Sequence, residues 1–104
     1  MDELQIKQLT ENHTAIAEFM EFKKEKNNRY TVKMGGVFTV CSANAMKFST
    51  SWDWLMPVVK KMYRKPYCSD AMPQLRIELG RADIREAYKT IVTTLDWCKK
   101  RNKL

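Results

Sequence analysis

The sequence contains few of the residues that mark specialised classes of protein. Its three cysteines, Cys41, Cys68 and Cys98, are odd in number and widely spaced, which predicts reduced thiols rather than a disulfide framework or a zinc site. Glycine and proline occur three times each, and there is no repeat, low-complexity tract or Pro/Gly-rich linker. No apolar run approaches the roughly 20 residues that cross a bilayer, and residues 1–4 are acidic, unlike a secretory signal. We therefore expect one cytoplasmic domain comprising residues 1–104.

Positive charge is abundant and unevenly distributed. The net charge is +7. Residues 1–46 carry six basic and six acidic side chains, whereas residues 47–104 carry thirteen basic and six acidic ones. The basic half is compatible with an ordinary solvated surface or with an anionic partner, of which phosphate-bearing ligands are the leading class.

The first half of the sequence predicts a helix followed by a hairpin. Apolar residues at helical spacing favour a helix over residues 12–26, capped by Asn12 or Thr10, while residues 1–9 fit either a short strand or another helical turn. Two β-rich runs, residues 29–34 and 37–41, are joined by Gly35-Gly36, which suits the positive φ values of a tight hairpin turn.

The second half predicts a helix, a strand and a helix. Ser51 is the expected N-cap of a helix over residues 51–63, and Pro57 predicts a kinked or loosely wound first turn. Residues 74–79 alternate as in a strand, and Asp83 begins a final helix that extends to about Lys100. The predicted fold is therefore α+β, with three helices packed on a small, mainly antiparallel sheet.

Catalytic machinery is hard to find in this sequence. His13 is the only histidine, and its neighbours in sequence offer no orienting triad, so capping or solvent exposure is the simpler interpretation. Gly35-Gly36 is too short to cradle a phosphate, and the aspartates show no paired spacing. We expect no cofactor, no metal and no enzymatic activity, although degradation of a nucleotide stays an alternative.

Two tryptophans lie away from the apolar stripes of their predicted helices. Trp52 falls on the core side of its helix, but Trp54 points about 200° away from it at 100° per residue, and Trp97 lies off the stripe of the last helix. Three explanations are open: burial of the helices on two sides, a subunit interface, or stacking on a flat ligand.

A candidate ligand site surrounds the start of the second helix. Hydroxyls and a lysine precede the helix, an aromatic ring follows, and further lysines come later. Phosphates pair with lysine and with N–H groups at a helix start, and bases stack on aromatic rings. The predicted ligand-binding residues are Lys47, Ser49, Thr50, Ser51, Trp54, Lys61 and Lys65.

Three segments resemble a group of short proteins encoded by tailed phages and prophages. They are IAEFM at residues 16–20, FSTSWDWLMPVVKKM at residues 48–62, and Ala87-Tyr88-Lys89 with Trp97 near the end. The resemblance spans most of the chain, but this chain carries Lys60 where the group has a glutamate after two valines. No catalytic residue can be carried over from this group.

The phage resemblance implies a protein that binds a host component. The leading hypothesis is a homo-oligomeric, non-enzymatic sponge in the host cytoplasm that sequesters a small anionic nucleotide signal of host defence. The alternatives are a protein-binding inhibitor of a host defence or transcription factor and a general nucleic-acid-binding protein.

Overall fold

The computed structural model describes residues 2–34 and 36–101 and has an α+β fold. Four α-helices and a three-stranded antiparallel sheet are found within these residues, so the prediction of three helices was one short. The chain divides into two compact units, Met1–Met46 and Lys47–Leu104. The expectation that residues 1–104 form one domain stays a prediction.

The first unit begins with helix α1, Glu3–Phe19. Asp2 caps it by accepting from the Gln5 N–H at 2.8 Å, while the Gln5 side chain accepts from the Asp2 N–H. The predicted helix over residues 12–26 therefore began too late and ended too late. Glu21 closes α1 in the left-handed region, with φ of 61°, and the Phe22 N–H donates to the Ala17 carbonyl. This Schellman ending lacks the usual glycine, so nothing in the sequence marked it.

The sheet follows α1 in the order β1–β2–β3. Strand β1 is Lys23–Lys24, β2 is Arg29–Met34 and β3 is Val37–Ser42. The predicted hairpin is confirmed, because Met34 pairs with Val37 and Arg29 with Ser42. Gly36 has φ of 84°, as a tight turn requires; Gly35 lies outside the described residues. A 3₁₀ segment, Ala43–Ala45, follows β3 and contacts α1.

The second unit contains helices α2, Trp52–Tyr63, α3, Met72–Gly80, and α4, Ile84–Lys100. A 3₁₀ segment, Pro66–Ala71, contacts all three helices, and α3 packs on α4. The expected helices around residues 51–63 and 83–100 are confirmed, with Asp83 accepting from the Glu86 N–H at 3.2 Å as the cap of α4.

The predicted strand at residues 74–79 is wrong, because these residues belong to α3. The alternation of Leu75, Ile77 and Leu79 resembles a strand, but Ile77 is 50% exposed. The buried residues are Met72, Leu75 and Glu78, which recur every three positions as on a helix face. Pro73 suits the first turn of a helix, where its missing N–H has no partner to lose.

Candidate functional site

The predicted residues before α2 form a turn that leads into the helix. The N–H groups of Thr50 and Ser51 both donate to the Lys47 carbonyl, at 3.2 and 2.9 Å. Lys47 and Thr50 are exposed, whereas Ser49 and Ser51 are half-buried. Ser51 is the N-cap residue as predicted, but its side chain makes no capping hydrogen bond. The structure thus brings Lys47, Ser49, Thr50 and Ser51 together at one end of α2.

Trp54 is partly covered by its own unit. Its ring meets the fully buried Phe48 ring edge to face, with centroids 5.4 Å apart and planes at 84°. Val58, one turn further along the same side of α2, is fully buried, as are Leu55 and Val59. Helix α2 is therefore buried on two sides. This arrangement corresponds to the first of the three explanations for Trp54.

Trp97 is covered differently, by a neighbouring cation. It is 42% exposed, and the Arg101 guanidinium lies 4.7 Å from the centre of its ring. A guanidinium at this distance attracts the ring face and occupies the position that a stacked base would take. Each of these two tryptophans therefore makes a specific contact within its own unit.

Lys61 and Lys65 lie at the opposite end of α2 from Ser51. A rise of 1.5 Å per residue places Lys61 about 15 Å along the axis from Ser51, and both lysines are half-buried. Lys65 is close enough to the Cys68 thiol to lower its pKa against the larger effect of burial. One phosphate cannot contact both ends of α2, so the predicted site divides into two groups.

A pocket in the first unit was missed by the sequence analysis. Its volume is about 310 Å³, within the range of small-molecule sites. Among the described residues, Lys24 is its only charged lining residue, and hydroxyl and amide groups provide most of the others. The lining residues are Thr10, Thr14, Lys24, Asn27, Tyr30, Ser42, Ala43 and Asn44.

Tertiary contacts that no local pattern encodes assemble this pocket. Thr10 and Thr14 share one face of α1 at i, i+4 spacing, and the contact between α1 and the segment Ala43–Ala45 brings them to Asn44. The Ser42 hydroxyl donates to the Asn44 side-chain oxygen at 2.7 Å. Asn27 adopts φ of 61°, a region that asparagine tolerates. Only the Thr-x-x-x-Thr spacing could have been noticed in advance.

His13 supports this pocket from the buried side of α1. It is fully buried, and its Nδ1–H donates to the Ala43 carbonyl at 2.8 Å; a carbonyl oxygen only accepts, so Nδ1 carries the proton. Burial lowers the pKa of His13, and the hydrogen bond to Ala43 opposes this shift more weakly. The expectation that His13 caps a helix or is exposed was wrong, because α1 begins ten residues earlier.

Two of the cysteines are poorly suited to nucleophilic chemistry at neutral pH. Burial raises the pKa of Cys41 and, together with the neighbouring Cys98, raises the pKa of Cys68 to about 11. A protonated thiol is a poor nucleophile and a poor metal ligand. Among the described residues, no group of three or more His, Cys, Asp or Glu side chains could hold a metal ion. Within the same residues, none of the helices has the length and apolarity needed to cross a membrane.

The fold and the two candidate sites define a small α+β chain with a polar pocket in one unit and, in the other, a helix preceded by Lys47 and a run of hydroxyl side chains. Compared with protein-family models, curated proteins and solved structures, the chain matches none of them.

Proposed function

We propose that this chain is a phage-encoded, non-enzymatic binding protein that sequesters a small anionic ligand of the nucleotide type in the host cytoplasm. The observation that carries the proposal is the pocket of about 310 Å³, in which Lys24 is the one charged side chain among the described lining residues. Sequestration by such a protein would counter a host defence that signals through the ligand.

The lining of the pocket favours an anion with several hydrogen-bonding groups. Lys24 supplies a cation for a phosphate or carboxylate, and charge-assisted hydrogen bonds are about twice as strong as neutral ones. Thr10, Thr14 and Ser42 bring hydroxyls, while Asn27 and Asn44 bring amide donors and acceptors. None of the described lining residues is a carboxylate that would repel an anion.

The basic region of α2 is a second place where the same ligand class could bind. Its predicted residues are Lys47, Ser49, Thr50, Ser51, Trp54, Lys61 and Lys65. Ser51, the N-cap residue whose side chain makes no capping hydrogen bond, and the exposed Lys47 support phosphate contacts at the start of α2. The partial burial of Trp54 supports a smaller stacking area than an exposed ring would offer.

Isothermal titration calorimetry against cyclic dinucleotides, cyclic trinucleotides and ADP-ribose derivatives tests the proposal. If the pocket binds, Lys24→Gln should weaken affinity about tenfold or more, since a hydrogen bond to a charged group contributes about 1.5–3 kcal/mol. The matched control is Lys23→Gln on the same strand, because Lys23 does not line the pocket. Lys47→Gln tests the α2 region in the same way.

The outcomes separate the two sites. Weakening by Lys24→Gln alone assigns the ligand to the pocket, and weakening by Lys47→Gln alone assigns it to α2. Equal weakening by Lys23→Gln and Lys24→Gln would indicate general charge attraction rather than a built site. No binding heat with any ligand, and no ligand mass retained through purification, would refute the proposal.

A protein-binding inhibitor is the second candidate, because the second unit exposes large apolar side chains. Tyr63 is 46% and Ile77 is 50% exposed, and the Arg76 guanidinium lies 5.9 Å from the centre of the Tyr63 ring. Tyrosine and arginine are typical of binding hot spots. Affinity capture from host lysate tests this candidate. Loss by Tyr63→Ser and Ile77→Ser of a partner that the native chain binds would support it, and capture of the same proteins by the native chain and by both variants would refute it.

A further inference from the structure

The two edges of the sheet differ in how well they are protected against pairing. Edge strand β1 has only two residues, Lys23 and Lys24, both exposed and both charged. Edge strand β3 has six residues, Val37–Ser42, with neither a charge nor a proline among them. Natural proteins use short strands, lysine and proline to prevent edge pairing. The sheet has these protections at β1 and lacks them at β3.

The backbone geometry shows which groups of β3 point away from the sheet. The Glu25 N–H donates to the Arg29 carbonyl at 2.7 Å, so Arg29 directs its backbone groups toward β1. Backbone direction alternates along a strand, so Tyr30 and Val32 face β3 and bond their partners Cys41 and Thr39. The N–H and C=O groups of the intervening residues, Phe38 and Val40, therefore point outward at the edge.

The side chains of β3 are also exposed. Val37 is 64%, Phe38 66% and Val40 53% exposed. Phe38 and Val40 lie on one face of the sheet, where the Lys33 ammonium is 5.5 Å from the centre of the Phe38 ring. Val37, Thr39 and Cys41 lie on the other face by alternation. An uncharged, apolar strand with a free backbone edge is a template for another strand.

We propose that β3 pairs antiparallel with β3 of a second copy, with Thr39 on the two-fold axis. In this register Phe38 of each copy lies opposite Val40 of the other, and their outward N–H and C=O groups make four interchain hydrogen bonds. Val37 lies opposite Cys41, and the two Thr39 residues face each other. Aromatic–β-branched and Thr–Thr pairs are favourable cross-strand combinations.

Charge and closure identify a second copy as the partner. The unit that contains β3 has six basic and six acidic residues, so the two units that would pair carry no net charge, and an uncharged strand offers no attraction to a charged peptide. A two-fold interface uses the same patch twice and closes. The joined six-stranded sheet would end at both sides in Lys23–Lys24, which stops further addition.

Sedimentation equilibrium tests the proposal against a matched surface variant. The native chain should show a concentration-dependent mass approaching twice 12.3 kDa. Val40→Lys places a charge at the pairing edge and should weaken dimerisation by at least about tenfold. Leu4→Lys is the control, because Leu4 is 74% exposed in α1 of the same unit and should leave the dimer unchanged. A native chain that stays monomeric at its highest soluble concentration overturns the proposal.

Cysteine cross-linking tests the register. In a Cys41→Ser background, Thr39→Cys places two thiols across the axis at a non-hydrogen-bonded pair, with Cα atoms about 4.5 Å apart, within disulfide range. Mild oxidation should then link two chains, seen by non-reducing electrophoresis. Val37→Cys in the same background should not link, because the two cysteines would lie about 13 Å apart along the strands. Equal linking of both variants, or of neither, overturns the register.

Discussion

A double-mutant cycle on the contact between Phe48 and Trp54 is the most direct test of how α2 packs in the second unit. Phe48 is fully buried and meets Trp54 edge to face at 5.4 Å, so the pair should contribute about 0.5–1.5 kcal/mol beyond the area that it buries. Phe48→Leu and Trp54→Leu each remove a ring and retain an apolar side chain. A double-mutant cycle should therefore give a coupling energy of about 0.5–1.5 kcal/mol. Phe48→Ala would create a cavity, with a cost of about 3–5 kcal/mol, and is less suitable because the whole protein has about 5–15 kcal/mol of stability.

Urea unfolding followed by far-ultraviolet circular dichroism gives the four free energies of unfolding, provided that the slope with urea is unchanged among the variants. Trp97→Leu is the control, because Trp97 lies on α4 against Arg101 and should show no coupling with Phe48→Leu. A coupling energy between Phe48 and Trp54 below about 0.3 kcal/mol, within the error of additivity, would refute the packing. Trp54 would then be available to stack on a flat ligand, which is the third of the explanations given for it.

Two further predictions concern a buried histidine and a helix end. Burial lowers the pKa of His13 below 6.5 in the folded chain, so the unfolded chain binds the proton first as pH falls. The contribution of neutral His13 to the free energy of unfolding is therefore fully present above pH 6.5 and is lost as pH falls from there toward the folded pKa. His13→Gln retains a donor for the Ala43 carbonyl and should flatten a plot of urea midpoint against pH below pH 6.5. An unchanged slope would show that other groups cause the pH dependence of stability. Ala82 has φ of 54° just beyond α3, and Gly80 within α3 has open space around an added Cβ. Ala82→Gly and Gly80→Ala should therefore each raise the free energy of unfolding by about 0.5–1 kcal/mol, and a loss in either variant would contradict the backbone geometry.

Elements with strong local signals were predicted well. Gly35-Gly36 between two β-rich runs identified the hairpin, and Asp83 with an apolar stripe identified α4. The helical arc of Leu55, Val59 and Met62 identified α2, and all three residues are buried. In each case the turn chemistry, the cap and the periodicity favoured the same structure.

Elements were missed where the local signals were absent or contradictory. Glu21, Asn27 and Ala82 take left-handed φ values that are usually assigned to glycine, so the end of α1 and the end of α3 could not be recognised. The pocket depends on the contact between α1 and Ala43–Ala45, and pairing between distant segments is not encoded in residue spacing. The division of the predicted α2 site into two ends did follow from the helical rise, once the length of α2 was known.

The contact between α3 and α4 has a consequence for the order in which the chain folds. Residues 74–79 alternate as a strand does, and α3 instead buries Glu78, whose side chain accepts a hydrogen bond from the Thr90 hydroxyl of α4. The helical form of α3 is thus stabilised by a partner that is synthesised after it. While the nascent chain lacks α4, this segment has the periodicity of a strand and lacks the contacts with α4 that favour the helix. We expect α3 to gain protection from hydrogen exchange only when α4 does, and after α2.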